Sequence, residues 1–138
     1  MGRIIAIDYG KKRTGLAWTD PLQLFASGIG SFDTPFIKKK LVELFEQETI
    51  DEIVLGYPTR FDGSDTHATP LVREFNRLLN KWFPDTPVHL WDETFTSKMA
   101  MDSMIRAGVK KKKRRDKHLI NQVSATLILQ QYLVNRSI

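Results

Sequence analysis

A chain of 138 residues has room for one ordinary hydrophobic core and not for two, so a single domain spanning 1–138 is expected. Its 41% hydrophobic and 27% charged residues make a globular balance, the lack of cysteine excludes disulfides and thiolate chemistry, and the lack of membrane-span and signal-peptide patterns predicts a soluble, unexported chain. The net charge is +5, and basic residues run unbroken through Lys110, Lys111, Lys112, Lys113, Arg114 and Arg115, which favours a phosphate-rich partner.

The opening stretch Arg3-Ile4-Ile5-Ala6-Ile7-Asp8 has four consecutive apolar residues, the pattern of a strand buried on both faces. It stops at a carboxylate. Asp8 shares the parity of Ile4 and Ala6, and so continues an inward face at the edge where open α/β sheets hold ligands. Gly10 permits a tight turn into a second strand, Thr14–Thr19, and Phe25–Phe32 completes an antiparallel meander. Thr34 and Pro35 read as the N-cap and first residue of a helix with the stripe Phe36, Ile37, Lys40, Leu41, Leu44 and Phe45. Asp51–Pro58 is a second buried strand, followed by a polar loop that carries Arg60 and His67.

Thr69-Pro70 repeats the cap-then-proline signal and opens a helix with the stripe Leu71, Phe75, Leu78 and Trp82. Val88–Trp91 is a third buried-type strand, and it ends in Asp92-Glu93. A short helix follows, with Thr94, Thr96 and Ser97 as possible caps and Gly108 as its stop. After the basic run comes a last helix, roughly 117–135, with Asp116 placed to cap it. This alternation implies right-handed crossovers and an α/β fold: a mixed five-stranded sheet, a three-strand antiparallel meander plus two parallel strands, with helices on both faces.

Two strands therefore end in carboxylates at one expected edge. Alternation sends Asp92 and Glu93 to opposite faces, so only one can join Asp8, and Glu93 is the longer arm nearer the strand end. Two acids in one site repel, and a divalent cation with hard oxygen ligands, Mg²⁺ or Mn²⁺, holds both ionised. Such a site activates water and neutralises phosphodiester charge, the chemistry of metal-dependent nucleases. The last helix aligns Asn121 with Ala125, Ile128 and Tyr132, and Asn121 can offer a neutral oxygen but no charge. Asp116 has two readings, helix cap or contact to metal or substrate. His67, His89 and His118 lack zinc-site spacing and read as structural or exposed, and Gly10–Gly15 lacks the Lys-Ser/Thr of a P-loop.

Four segments in order, Ile4–Ala17, Val54–Pro58 with Asp62-Gly63-Ser64, Trp91–Ser97 and Asn121–Leu133, resemble the YqgF family. Its members are described as Holliday-junction-resolvase-like proteins and as pre-16S rRNA processing nucleases of RNase H-like fold. The resemblance implies a cytoplasmic bacterial nuclease of ribosome maturation, with two-metal chemistry on a five-stranded sheet. The family's first acid falls on Asp8 and its second on Glu93. Its third falls on Asn121, and the arginine usual after the glutamate is here Thr94.

Two functions follow. In the first, a nuclease acting on structured RNA or branched DNA uses Asp8, Glu93 and Asn121 as catalytic and metal-holding residues. Lys11, Lys12, Arg13, Arg60 and the Lys110–Arg115 run grip the backbone. In the second, a protein of the same fold binds nucleic acid with little catalysis, which Asn121 and Thr94 favour. A distant third reading, from Asp8-x-Gly10, is similar to the first phosphate loop of actin-like ATPases, which need two such domains. A monomer or weak dimer is expected.

Overall fold

The computed structural model describes residues 2–57, 69–92, 102–114 and 116–136. In chain order they form β1 (Arg3–Asp8), β2 (Arg13–Thr19), β3 (Ala26–Asp33), a 3₁₀ turn (Thr34–Phe36), α1 (Ile37–Gln47), β4 (Ile50–Tyr57), α2 (Thr69–Trp82) and β5 (Val88–Asp92). Residues 102–106 are helical, and a single turn, α3 (Lys111–Arg114), precedes the long helix α4 (Lys117–Arg136). The sheet order is β3-β2-β1-β4-β5. β2 is antiparallel to both β1 and β3, and β4 runs parallel to β1 and β5. No described helix is long and apolar enough to cross a membrane.

β1 is central because its apolar run must be covered on both faces, and Ile4, Ile5, Ala6 and Ile7 are all fully buried. Alternation divides them. Ile5 and Ile7 join Leu16, Ile53 and Leu55 beneath α1 and α2, where Leu41, Leu44, Val72, Phe75 and Leu79 close one core. Ile4 and Ala6 join Ala17 and Val54 on the other face, against Ala125, Ile128 and Leu129 of α4. Burying a side chain of isoleucine size contributes about 1.5–3 kcal/mol, so β1 anchors both layers.

Three expectations are corrected. Thr34 does not cap α1: its hydroxyl donates to Gly10 O at 2.6 Å and lies 2.9 Å from Thr14 Oγ1, tying the β1–β2 turn to the chain entering α1. Phe36, released from the stripe, is exposed. The buried face of α2 is Thr69, Val72, Phe75 and Leu79, and Leu71 points outward, one position off the expected stripe. β5 is an edge strand with His89, Leu90 and Asp92 exposed, and α4 meets it through Tyr132 against His89 and Trp91 and through Gln131, which accepts from the Trp91 indole. The helical segment at 102–106 does end at Gly108, whose φ of 77° accompanies hydrogen bonds from Gly108 N to Ile105 O and from Val109 N to Met104 O.

At the end of the sheet where β4 and β5 begin, Glu52 accepts a hydrogen bond from Tyr132 Oη at 2.9 Å. His89 Nε2 lies 2.9 Å from the same carboxylate and Arg136 Nη1 3.4 Å. Burial and then the Glu52 bond push the Tyr132 hydroxyl up to about 12 from the ordinary 10.0.

Close packing sets the first prediction. A Cβ added at Gly15 would lie 2.0 Å from the backbone oxygen of Asn121, whereas one added at Gly108 meets nothing within 4 Å. Gly15→Ala should therefore cost about 3 kcal/mol by overpacking, and Gly108→Ala about 1 kcal/mol for its left-handed backbone, both read by urea denaturation. A second concerns pH. Between pH 10 and 12 the unfolded chain releases a Tyr132 proton that the native state keeps, so stability falls as pH rises through that window. Chemical denaturation should show a shallower fall in Tyr132→Phe, with a remainder from Tyr9, which burial also pushes up.

Candidate functional site

All three parallel strands end at one edge, with Asp8, Tyr57 and Asp92 as their last residues. On β1 the side chains of Ile4 and Ala6 face α4, so Asp8, two residues on, shares that face. Its cross-strand partner is Gly15 on β2. Opposed residues of an antiparallel pair project to the same side, and α4 lies against Gly15 at Asn121 and Gln122. Asp8 and Asn121 thus belong to one face and one edge, brought together from the two ends of the chain.

The orientation of Asn121 is chemically fixed. Its Nδ2 donates to Arg13 O at 3.3 Å, a contact that an amide nitrogen can make and its oxygen cannot, so Oδ1 is the atom left as acceptor. α4 starts at this point because Asp116 caps it: Asp116 Oδ1 accepts from His118 N at 2.9 Å. His118 Nδ1 in turn lies 2.9 Å from Ser31 Oγ, which moors the first turn of α4 to β3. His118 is a structural tie, and His89 takes part in the Glu52 cluster at the opposite end of the sheet.

Positive charge surrounds this edge. Lys11 and Lys12 are exposed in the β1–β2 turn, and Arg13 opens β2 half-buried, its Nε without a hydrogen-bond partner among the described residues. Lys110, Lys111, Lys112 and Lys113 are exposed just before α4. Glu93, Thr94, Arg60, Arg115, His67 and the side chain of Arg114 lie outside the described residues.

The described donors, the Asp8 carboxylate and Asn121 Oδ1, are hard oxygen ligands of the kind that Mg²⁺ and Mn²⁺ take. They fit such an ion in kind and are too few alone. Among the described residues no three His, Cys, Asp or Glu side chains are grouped to hold a metal. Gly15 is the position that spacing arguments overlooked. A glycine inside the strand Thr14–Thr19 is itself a signal of close backbone approach.

A mixed sheet in the order β3-β2-β1-β4-β5, with an acid ending its central strand and a helix laid across it, defines an RNase H-like domain. The fold matches Thermus thermophilus RuvC solved with a Holliday junction substrate, at a TM-score of 0.58 and 15% identity, covering 98% of this chain and 96% of that one. A second Thermus thermophilus RuvC structure gives a TM-score of 0.54 at 14% identity, with the same coverage. The chain belongs to the RuvX/YqgF family, whose model, described as Holliday junction resolvase, matches residues 2–135. A relative from Christiangramia forsetii is 47% identical over 133 residues, 96% of this chain and 98% of its own length. One from Porphyromonas gingivalis is 44% identical over 135 residues, 98% of each. Both carry the name "Putative pre-16S rRNA nuclease".

The cap can be tested by itself. Asp116→Ala should lower stability by about 1 kcal/mol in urea denaturation, while Asp116→Asn, which keeps an acceptor oxygen, should lose only a few tenths.

Proposed function

We propose that this chain is an endonuclease that hydrolyses phosphodiester bonds in structured nucleic acid, with the 5′ end of pre-16S rRNA as its substrate. The observation that carries the reading is the meeting of Asp8 and Asn121 on one face of one sheet edge, with Lys11, Lys12 and Arg13 following in the turn and at the start of β2. Membership of the RuvX/YqgF family and the names of the relatives support the same chemistry.

Asp8, Glu93 and Asn121 Oδ1 would hold Mg²⁺ or Mn²⁺, which when bound supplies an activated water and neutralises charge at the scissile phosphate. In sequence Glu93 directly follows Asp92, the last residue of β5, and stands two residues after Trp91, which packs on the α4 face. The Asp8 carboxylate orients the attacking water by accepting its hydrogen bond. Lys12 and Arg13 would hold the scissile phosphate, while Lys11, Arg60 and the Lys110–Arg115 run would grip the flanking backbone, which makes affinity fall with salt.

One observation favours a second reading, a nucleic-acid-binding protein with weak catalysis. The Asn121 amide is engaged with Arg13 O, and it brings no negative charge to the site.

A cleavage assay decides between them. With Mg²⁺ or Mn²⁺ the chain should cut a 5′-labelled structured RNA spanning a pre-16S 5′ end faster than a four-way DNA junction, and chelation should stop it. Asp8→Asn should lower the rate at least ~100-fold with unchanged binding. Binding without cleavage in the unaltered chain gives the second reading. A faster Asn121→Asp variant would then identify the missing charge as the reason.

A further inference from the structure

On the opposite face of the same edge lies a cavity of about 390 Å³ between the start of α1 and the length of α2. It has the size of a small-ligand site. Its walls are flat and aromatic: Tyr9 stacks on Phe75 with ring centroids 4.0 Å apart and 18° between planes, and Trp82 meets Phe75 edge-on at 5.9 Å. At its mouth stand two exposed cations, Lys11 and Lys38, with Lys38 Nζ 5.2 Å from the centre of the Trp82 ring. Among the described residues no carboxylate lines it.

Aromatic walls beneath two ammonium groups suit a planar ring joined to an anion. We propose that this cavity binds one unpaired nucleotide of the substrate strand, its base against Tyr9 and Trp82 and its phosphate between Lys11 and Lys38. The inference rests on the proposed reading of the substrate as nucleic acid. Tyr9 directly follows Asp8, the last residue of β1, and packs on the α1/α2 side while Asp8 shares the α4 face, so a strand crossing the sheet edge at Asp8 has this cavity directly behind it. Stacking of this kind tolerates any base, because every base has a π face.

The test uses the ¹⁵N-labelled full chain in metal-free buffer, titrated with a single-stranded tetrauridylate, and reads the indole N–H resonances by NMR. The Trp82 resonance should shift and saturate, while that of Trp91, on the α4 face, stays in place. An abasic tetramer of the same backbone should bind at least ~10-fold more weakly, and Lys38→Glu, at an exposed position, should weaken the tetrauridylate by a similar factor. An unmoved Trp82 resonance, equal affinity for the abasic strand or an unaffected Lys38→Glu variant each overturns the proposal. Because no cleavage enters the measurement, a Trp82 response in a chain that cuts nothing sustains the cavity and discards the nuclease reading. Cutting without the response does the reverse.

Discussion

The contact on which the rest depends is backbone against backbone: α4 rests on β2 at Gly15, where even a methyl group would collide with the Asn121 carbonyl. Gly28 on β3 extends the same seat beneath the Gln122 side chain. Beyond these glycines the helix presents Ser124 and Ala125, small and buried, and only then Ile128 and Leu129. The helix is therefore pressed closest to the sheet at its N-terminal end and held off by larger side chains further along. That closeness is what lets a residue far along the chain share a face with the end of β1. Asp116 and His118 fix where the helix begins, so the approach is set along the axis as well as across it.

Alternation along a single strand makes the edge two-sided. Asp8 belongs to the α4 face, and Tyr9 turns to the α2 side to stack on Phe75. One turn, pinned by Thr34 to Gly10 and by the Thr14–Thr34 pair, thus serves a polar site on one side and an aromatic cavity on the other. A shift of one residue in β1 would exchange the two, burying the acid under α2 and bringing the tyrosine to α4. The four apolar residues before Asp8, all completely buried, hold the register against such a slip.

Much of this was legible because the signals were local. A continuous apolar run ending at an acid located β1 and its edge, glycine after the helical segment located its stop, and Asp116 before a long apolar period located the cap. What failed were statements about neighbours. Val88–Trp91 has the composition of a buried strand, yet its place at the edge depends on which helix covers it, and composition carries no record of that. Thr34 bears a strong capping signal, but two partners on the β1–β2 turn compete for the one hydroxyl and win. Leu71 and Val72 are equally apolar, so the period alone could not say which faces the core; the direction in which α2 crosses the sheet chose Val72. Glu93, the remaining member of the expected acid pair, lies outside the described residues.

Asn121 shows how one position is pulled in two directions. A carboxylate there would strengthen the hold on a cation by adding a negative ligand, but facing Arg13 O it would set two acceptor oxygens against each other. The amide resolves that conflict in favour of the hairpin: its nitrogen donates to the Arg13 carbonyl, and its oxygen remains a neutral acceptor. The turn carrying Lys11 and Lys12 is thereby tied, through Arg13, to the start of α4. Tighter geometry is gained where charge is given up.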